Sequence, residues 1–156
     1  MTQESKAEKT LLLLNQKSEK ALAVFQQLAN ENKFGTGNID KAIDQYLSRW
    51  KDSTRPGVLA MASEAVGGKL EDIVPLQVAL SFIDVTMDIH DDLIDGALLR
   101  RGMPTLNARW SPAATVLTGD FLFARAAKLA SETDYLPLMK LFSETLATIV
   151  NGELTQ

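Results

Sequence analysis

Apolar residues recur along this chain at three- and four-residue intervals, and nowhere do they alternate with period two over a useful length. Leu11, Leu14, Ser18, Leu22, Phe25 and Leu28 mark a helix over residues 4–32, with Lys and Glu between them. The glycines of NKFGTGN break it, and Asn38 can cap a second helix through IDKAIDQYLSRW. KDSTRP reads as a loop, because Pro56 disfavours helical geometry at Thr54–Arg55 and suits a helix start. GVLAMASEAV is then a short helix closed by Gly67 and Gly68. The longest pattern runs from Leu70 or Glu71 to about Asp95 and is apolar nearly all round, which predicts burial on most sides. Pro75 falls in its first turn or so, where proline is tolerated. GALLRRGMP is the loop after it, and two further helices cover Ala113–Ser131 and Tyr135 to the end. The pattern predicts an all-α domain, a bundle of about seven helices with the 70–95 helix through its middle. The last helix is still in register at Gln156 with no capping residue. Residues 1–156 are therefore expected to form the N-terminal part of a single larger helical domain.

The apolar 70–95 helix carries an anomaly. In DVTMDIHDDLIDGALLRRGMPT, Asp84, Asp88, Asp91 and Asp95 are spaced four, three and four apart, so they share one stripe with Asp92 at its edge. Seven carboxylates lie between Leu70 and Leu99, with no Lys or Arg among them. Ile83, Val85, Met87, Ile89, Leu93 and Ile94 surround the stripe, and buried charges without partners cost several kcal/mol each. A divalent cation answers the difficulty. Asp91 and Asp95, one turn apart, can hold Mg²⁺, which commonly takes one or two protein carboxylates together with substrate phosphates. Arg100 and Arg101 follow, and guanidinium forks bind phosphate oxygens bidentately. A solvated acidic face is the competing reading. The apolar surroundings and the arginine pair leave the two level.

Composition removes other classes. The net charge of −4 argues against a nucleic-acid partner, which needs a broad basic surface. With no cysteine there are no disulfides, thiolate metal sites or cysteine nucleophiles, and the single His90 excludes multi-histidine sites. Carboxylate-bridged iron proteins with paired Glu-x-x-His motifs and His-Asp phosphohydrolases both fail this inventory. The polar opening MTQESKAEKT is no secretory signal, and no stretch approaches the roughly 20 apolar residues of a membrane span. A cytoplasmic protein without a transmembrane segment is expected.

The segment HDDLIDGALLRRGMPT resembles the first aspartate-rich motif of the trans-isoprenyl diphosphate synthases, the polyprenyl synthetase family. TRPGVLAMASEAVGG is similar to that family's Arg-Pro helix, VLTGDFLFARAAKLA to its Gly-Asp helix, and NGELTQ to its Gly-Glu-x-x-Gln segment. Four motifs in order make chance resemblance improbable. The resemblance implies an all-α bundle of the isoprenoid-synthase type around a deep cavity, here about the first half of one. It also implies Mg²⁺-dependent ionisation of an allylic prenyl diphosphate, attack by isopentenyl diphosphate, and a homodimer. Asp91 and Asp95 would bind the metal and Asp92 would orient the site or its waters. Arg100 would meet the allylic diphosphate, while Arg101, Arg55 and Lys51 would face isopentenyl diphosphate. Thr86 and Met87 stand where the family sets product length, and Asp120 would assist the metal site or start a helix. Phe121 and Phe123 are expected to pack a core, and His90 to be packed or to support the metal-binding aspartates from behind, not to act as a base.

The chain departs from the family pattern at three points. Lys51, Asp52 and Ser53 stand where Gly-Lys-Arg is usual, so two cations are lost, with Lys51 one place away able to compensate in part. Asp84 replaces a common histidine and would repel a diphosphate. The second aspartate-rich motif would lie past residue 156, so the 156-residue chain alone is expected to be inactive. A weakened isopentenyl side leaves two alternatives to a condensing synthase. One is a terpene-synthase-like enzyme that ionises a prenyl diphosphate without elongation; the other is a non-catalytic subunit of a heteromeric synthase.

Overall fold

The computed structural model describes residues 3–31, 37–48, 50 and 52–155. Among them are six helices rather than about seven: α1 (Gln3–Glu31), α2 (Gly37–Leu47), α3 (Thr54–Ala65), α4 (Leu70–Ile94), α5 (Pro112–Ser131) and α6 (Leu136–Leu154). Between α4 and α5 lies a hairpin of two short strands, β1 (Leu99–Arg100) and β2 (Met103–Pro104), in a segment expected to be plain loop. The all-α reading holds. As expected, α4 is central, packing on α1, α3 and α5.

Two boundaries move, and that of α3 has a local cause. α3 starts at Thr54, ahead of Pro56, because first-turn N–H groups need no intrahelical partner and proline costs little there. The carboxylate of Asp52 accepts the Thr54 N–H at 2.7 Å, which steadies this early start and puts Arg55 in the first turn. α2 begins at Gly37, one residue before the expected Asn38 cap, whose side chain lies outside the described residues, and it ends at Leu47. Pro75 sits in the second turn of α4, slightly deeper than the sequence suggested. The N-terminus of α5 is conventional: Ser111 accepts the Ala114 N–H at 3.3 Å and Pro112 follows it.

α4 earns its place by burial. Val78, Phe82, Val85 and Ile89 are fully buried, and Phe82 meets Phe25 of α1 with ring centroids 4.7 Å apart. Buried Gln77 ties three helices together, donating to Pro56 O at 2.7 Å and to Lys17 O at 3.3 Å. At Gly57 a side chain would collide with the backbone of Leu14, so glycine there lets α3 lie directly on α1. α4 is also long and apolar enough to cross a membrane, contrary to the sequence expectation. Half of that stretch is buried against other helices, the pattern of a core helix.

The end of α4 sets up the site. Gly96 takes a positive φ of 63°, its N–H reaches Leu93 O at 3.2 Å, and the Ala97 N–H reaches Asp92 O at 2.8 Å. This is the Schellman arrangement that stops a helix on glycine and turns the chain back. The hairpin then turns at Arg101 (φ 51°) and Gly102 (φ 76°), two successive left-handed residues between paired strands, as a type I′ turn requires. Glycine adopts that conformation freely; Arg101 does so at a cost. The reward is that Arg100 is carried back over the last turns of α4.

Candidate active site

Arg100 lies along the acidic stripe. Its Nε donates to Asp92 Oδ1 at 2.7 Å and its Nη1 to Asp88 Oδ1 at 2.9 Å, so one guanidinium bridges two carboxylates a turn apart. Asp92 is 2% exposed, and that pairing answers the burial of its charge. Burial pulls the Arg100 pKa down, but the Asp92 hydrogen bond and the Asp88 charge outweigh it and hold it above its usual value. Arg101 is at 4.0 Å from Asp88 and stacks over Trp50, 5.3 Å from the ring centre. Burial raises the Tyr46 hydroxyl pKa, and the Asp88 and Asp92 charges push it the same way.

Asp91 faces the other way, toward a cavity of about 330 Å³ lined mainly by apolar side chains, among them Met87, Val116 and Val150, with His90 and Glu153. Its Oδ1 is buried and has no hydrogen-bond partner among the described residues. Burial raises its pKa, Glu153 adds to the effect, and Arg100 opposes it. Asp95 caps α4 on the exposed side. Asp88 Oδ2 and Asp92 Oδ2 also lack hydrogen-bond partners among the described residues. Among the described residues no three His, Cys, Asp or Glu side chains form a ready metal cage. The donor set is instead two carboxylates, one with an unengaged buried oxygen. That suits a hard cation completing its shell from water and a ligand's phosphate oxygens.

The far end of the stripe is built from Arg55, whose Nη1 touches Asp84 Oδ2 at 2.7 Å and Asp52 Oδ2 at 3.1 Å. Burial pushes the Asp84 carboxyl up to about 6, with Arg55 opposing and Asp52 and Asp88 reinforcing the rise. For Asp52, burial acts upward too, but the Thr54 N–H and Arg55 win and the net shift is down. A carboxyl whose folded pKa is raised favours the folded state only when protonated. Its contribution is therefore present near pH 4 and is lost as pH rises through 6. Solvent around the half-buried carboxyl screens the effect, so its contribution to stability is expected to be well below the roughly 3 kcal/mol of the full shift. Denaturant titrations from pH 4 to 7 are expected to show stability falling over that window and a flatter profile in Asp84→Asn. An identical slope in both proteins would remove Asp84 as the cause.

Asp91, Asp92 and Asp95 thus all lie at the C-terminal end of α4, with Arg100 on Asp92, Arg101 near Asp88 and Asp91 turned toward the cavity. Arg55 stands two turns away at Asp84, and Lys51 lies outside the described residues. Thr86 is buried and donates to Gly119 O at 3.3 Å, so it faces α5, and of the Thr86–Met87 pair only Met87 lines the cavity. Asp120 falls in the middle of α5, which corrects the helix-start reading; its Oδ1 is 3.7 Å from His90 Nε2. His90 is packed against Gly119, where any side chain would overlap the ring, and its Nε2 is 3.3 Å from Val116 O. Phe121 packs on the core, and Phe123 pairs with Phe142 at 6.3 Å. Sequence reasoning gave no role to Asp88, Trp50 or Glu153. Asp88 was findable, because a cation on Asp92 can reach the residue four positions earlier. Trp50 arrives from the loop after α2 and Glu153 from α6, and neither left a local signal.

Comparison with known proteins adds to this geometry. The profile described as Polyprenyl synthetase matches residues 37–156. A geranylgeranyl diphosphate synthase of Methanosarcina mazei is 32% identical over 151 residues, covering 83% of this chain and 47% of that protein. Heptaprenyl diphosphate synthase component 2 of Geobacillus stearothermophilus is 31% identical over 139 residues, covering 89% of this chain and 43% of the relative. The geranylgeranyl pyrophosphate synthetase of the archaeon Geoglobus acetivorans superposes with a TM-score of 0.74 at 22% identity, over 94% of this chain and 47% of that one. The chain thus spans just under half the length of these relatives.

Proposed function

This chain belongs to the polyprenyl synthetase family, and from that premise we propose that it is the part of a Mg²⁺-dependent prenyltransferase that binds and ionises an allylic diphosphate for condensation with isopentenyl diphosphate. One observation carries the reading: the Asp91 carboxylate, with an unengaged buried oxygen, stands between an Arg-bridged acidic stripe and an apolar cavity. Polar head and apolar tail of a prenyl diphosphate have complementary surfaces on either side of it. Asp91 and Asp95 would hold Mg²⁺, which supplies electrostatic stabilisation of the charge that develops on the leaving diphosphate. Asp92 fixes Arg100, and Arg100, on leaving its carboxylates, can donate to diphosphate oxygens. Arg101, Arg55 and Lys51 are the candidates for the second diphosphate. Met87, Val116 and Val150 keep water from the allylic carbon, which protects a carbocation from premature capture.

A second reading is favoured by the engagement of Arg55 with two carboxylates: ionisation without elongation, as in terpene synthases. One experiment separates them. The native protein is incubated with Mg²⁺ and geranyl or farnesyl diphosphate, with and without isopentenyl diphosphate, and products are identified. Elongated diphosphates support the condensing enzyme; diphosphate release alone supports the second reading; no turnover in either arm overturns both. A homodimer in the cytoplasm belongs to the same proposal, because Val58, Met61, Leu136 and Leu141 leave apolar surface exposed on α3 and α6. Light scattering showing only monomer at micromolar concentration would remove the dimer.

A further inference from the structure

The two ends of the acidic stripe differ in what they leave available. At one end Arg100 serves Asp88 and Asp92, yet Asp91 and Asp95 beside it remain open to a cation. At the other end the one guanidinium already faces two carboxylates. Arg55 is 57% exposed, so its guanidinium has solvent access, but its Nη1 is shared by Asp84 at 2.7 Å and Asp52 at 3.1 Å. Neither carboxylate is free to leave. Asp52 is anchored through its second oxygen to the Thr54 N–H, and Asp84 is 12% exposed on the central helix. The local sum is two negative charges against one positive. An incoming diphosphate would have to draw Arg55 away from both carboxylates and then sit beside them, repelled.

Asp84 and Asp88 are one helical turn apart, about 6 Å along α4. The Arg55 cluster is therefore a neighbouring subsite on the same face as Arg100, not a remote surface pair. Asp52 is three residues from Arg55 on the same chain segment, whereas Asp84 pins the side chain across the α3–α4 interface. We propose that Asp84 is a specificity-determining residue: by clamping Arg55 it sets a low affinity for the second diphosphate ligand while leaving the first ligand's subsite intact. The inference rests on the prenyl diphosphate reading and deepens it. The second subsite is not short of a guanidinium; it has one that is withheld.

A withheld arginine makes a prediction that a missing one does not, namely gain of binding when the clamp is removed. Calorimetry on the native protein with Mg²⁺ would use isopentenyl diphosphate as second ligand and geranyl diphosphate as first. Four proteins are compared: wild type, Asp84→Asn, Arg55→Ala and the double variant. Asp84→Asn is expected to tighten isopentenyl diphosphate on the order of tenfold or more. The gain should vanish in the double variant, and Arg55→Ala alone should shift the wild-type affinity by less than about threefold. Asp84→Ala provides the same comparison if the asparagine variant does not fold. No gain in a folded Asp84 variant overturns the clamp, as does a tenfold loss in Arg55→Ala alone. Geranyl diphosphate distinguishes the two levels of failure. If it binds and the gain is absent, only the clamp fails; if it binds to none of the four, the prenyl diphosphate reading fails and the clamp with it.

Discussion

Asp91→Ala is expected to lower kcat/KM for an allylic diphosphate by on the order of 10³-fold or more, equivalent to about 4 kcal/mol of transition-state stabilisation. The size follows from what the residue would do. Loss of a single preorganised group that meets developing charge commonly costs 10²–10³-fold, and here a metal would go with it. The same variant should lose the calorimetric signal of Mg²⁺ with inorganic diphosphate, which separates a ligand from a mere packing residue. Folding should not suffer. The Asp91 carboxylate is held at a cost, with burial and Glu153 both disfavouring its charge, so its removal is expected to leave the melting temperature unchanged or higher. An unchanged Mg²⁺–diphosphate isotherm would place the metal elsewhere. A collapsed fold would show that Asp91 is structural.

The largest stability effect is expected at Phe82→Ala. Phe82 is fully buried in the middle of α4 and stacked at a tilt on Phe25, so truncation empties the contact between the two longest helices. Aromatic-to-alanine changes in such positions cost about 3–5 kcal/mol. For a domain of this size that is a fall in Tm of roughly 6–20 °C, readable by scanning calorimetry. A fall of less than about 3 °C would mean that the α1–α4 contact is not where the core is held. Because Phe82 lies more than two turns from Asp91, substrate affinity in the surviving folded fraction should change little.

The parts of this molecule legible in its sequence are those that depend on neighbours along the chain. The 3.6-residue period of residues 70–94 announced the central helix and the common line of Asp84 and Asp88, but the carboxylate that continues this line under Arg100 is Asp92, while Asp91 lines the apolar cavity. Arg100 and Arg101 could be assigned to the acidic end because they follow it within a few residues. What Arg100 does there could not be read. Its place over Asp88 and Asp92 depends on a tight turn in which Arg101, a residue with no preference for positive φ, is left-handed. The start of α3 is hidden for a similar reason: Pro56 alone points to a later start, and the Asp52 carboxylate that accepts the Thr54 N–H moves it forward. Arg55 illustrates the limit most clearly. Its departure from the expected cationic surroundings was visible as Asp52 and Ser53, but its contact with Asp84 crosses two helices and 29 positions and has no local signature.

α6 has no fully buried residue, and Leu136 and Leu154 at its two ends remain 67% and 81% exposed. It nevertheless furnishes Val150, Glu153 and Leu154 to the cavity whose other sides are the tightly packed α4 and α5. Protection against amide exchange tracks how much apolar contact must be broken to open a segment. On that scale α4 is the slow reservoir and α6 the fast one, so the cavity has two stiff sides and one compliant side. A guest with a long hydrocarbon tail would not meet a mould of fixed length. It would register first as slowed deuterium uptake along residues 146–154, while the amides of α4 would hardly change.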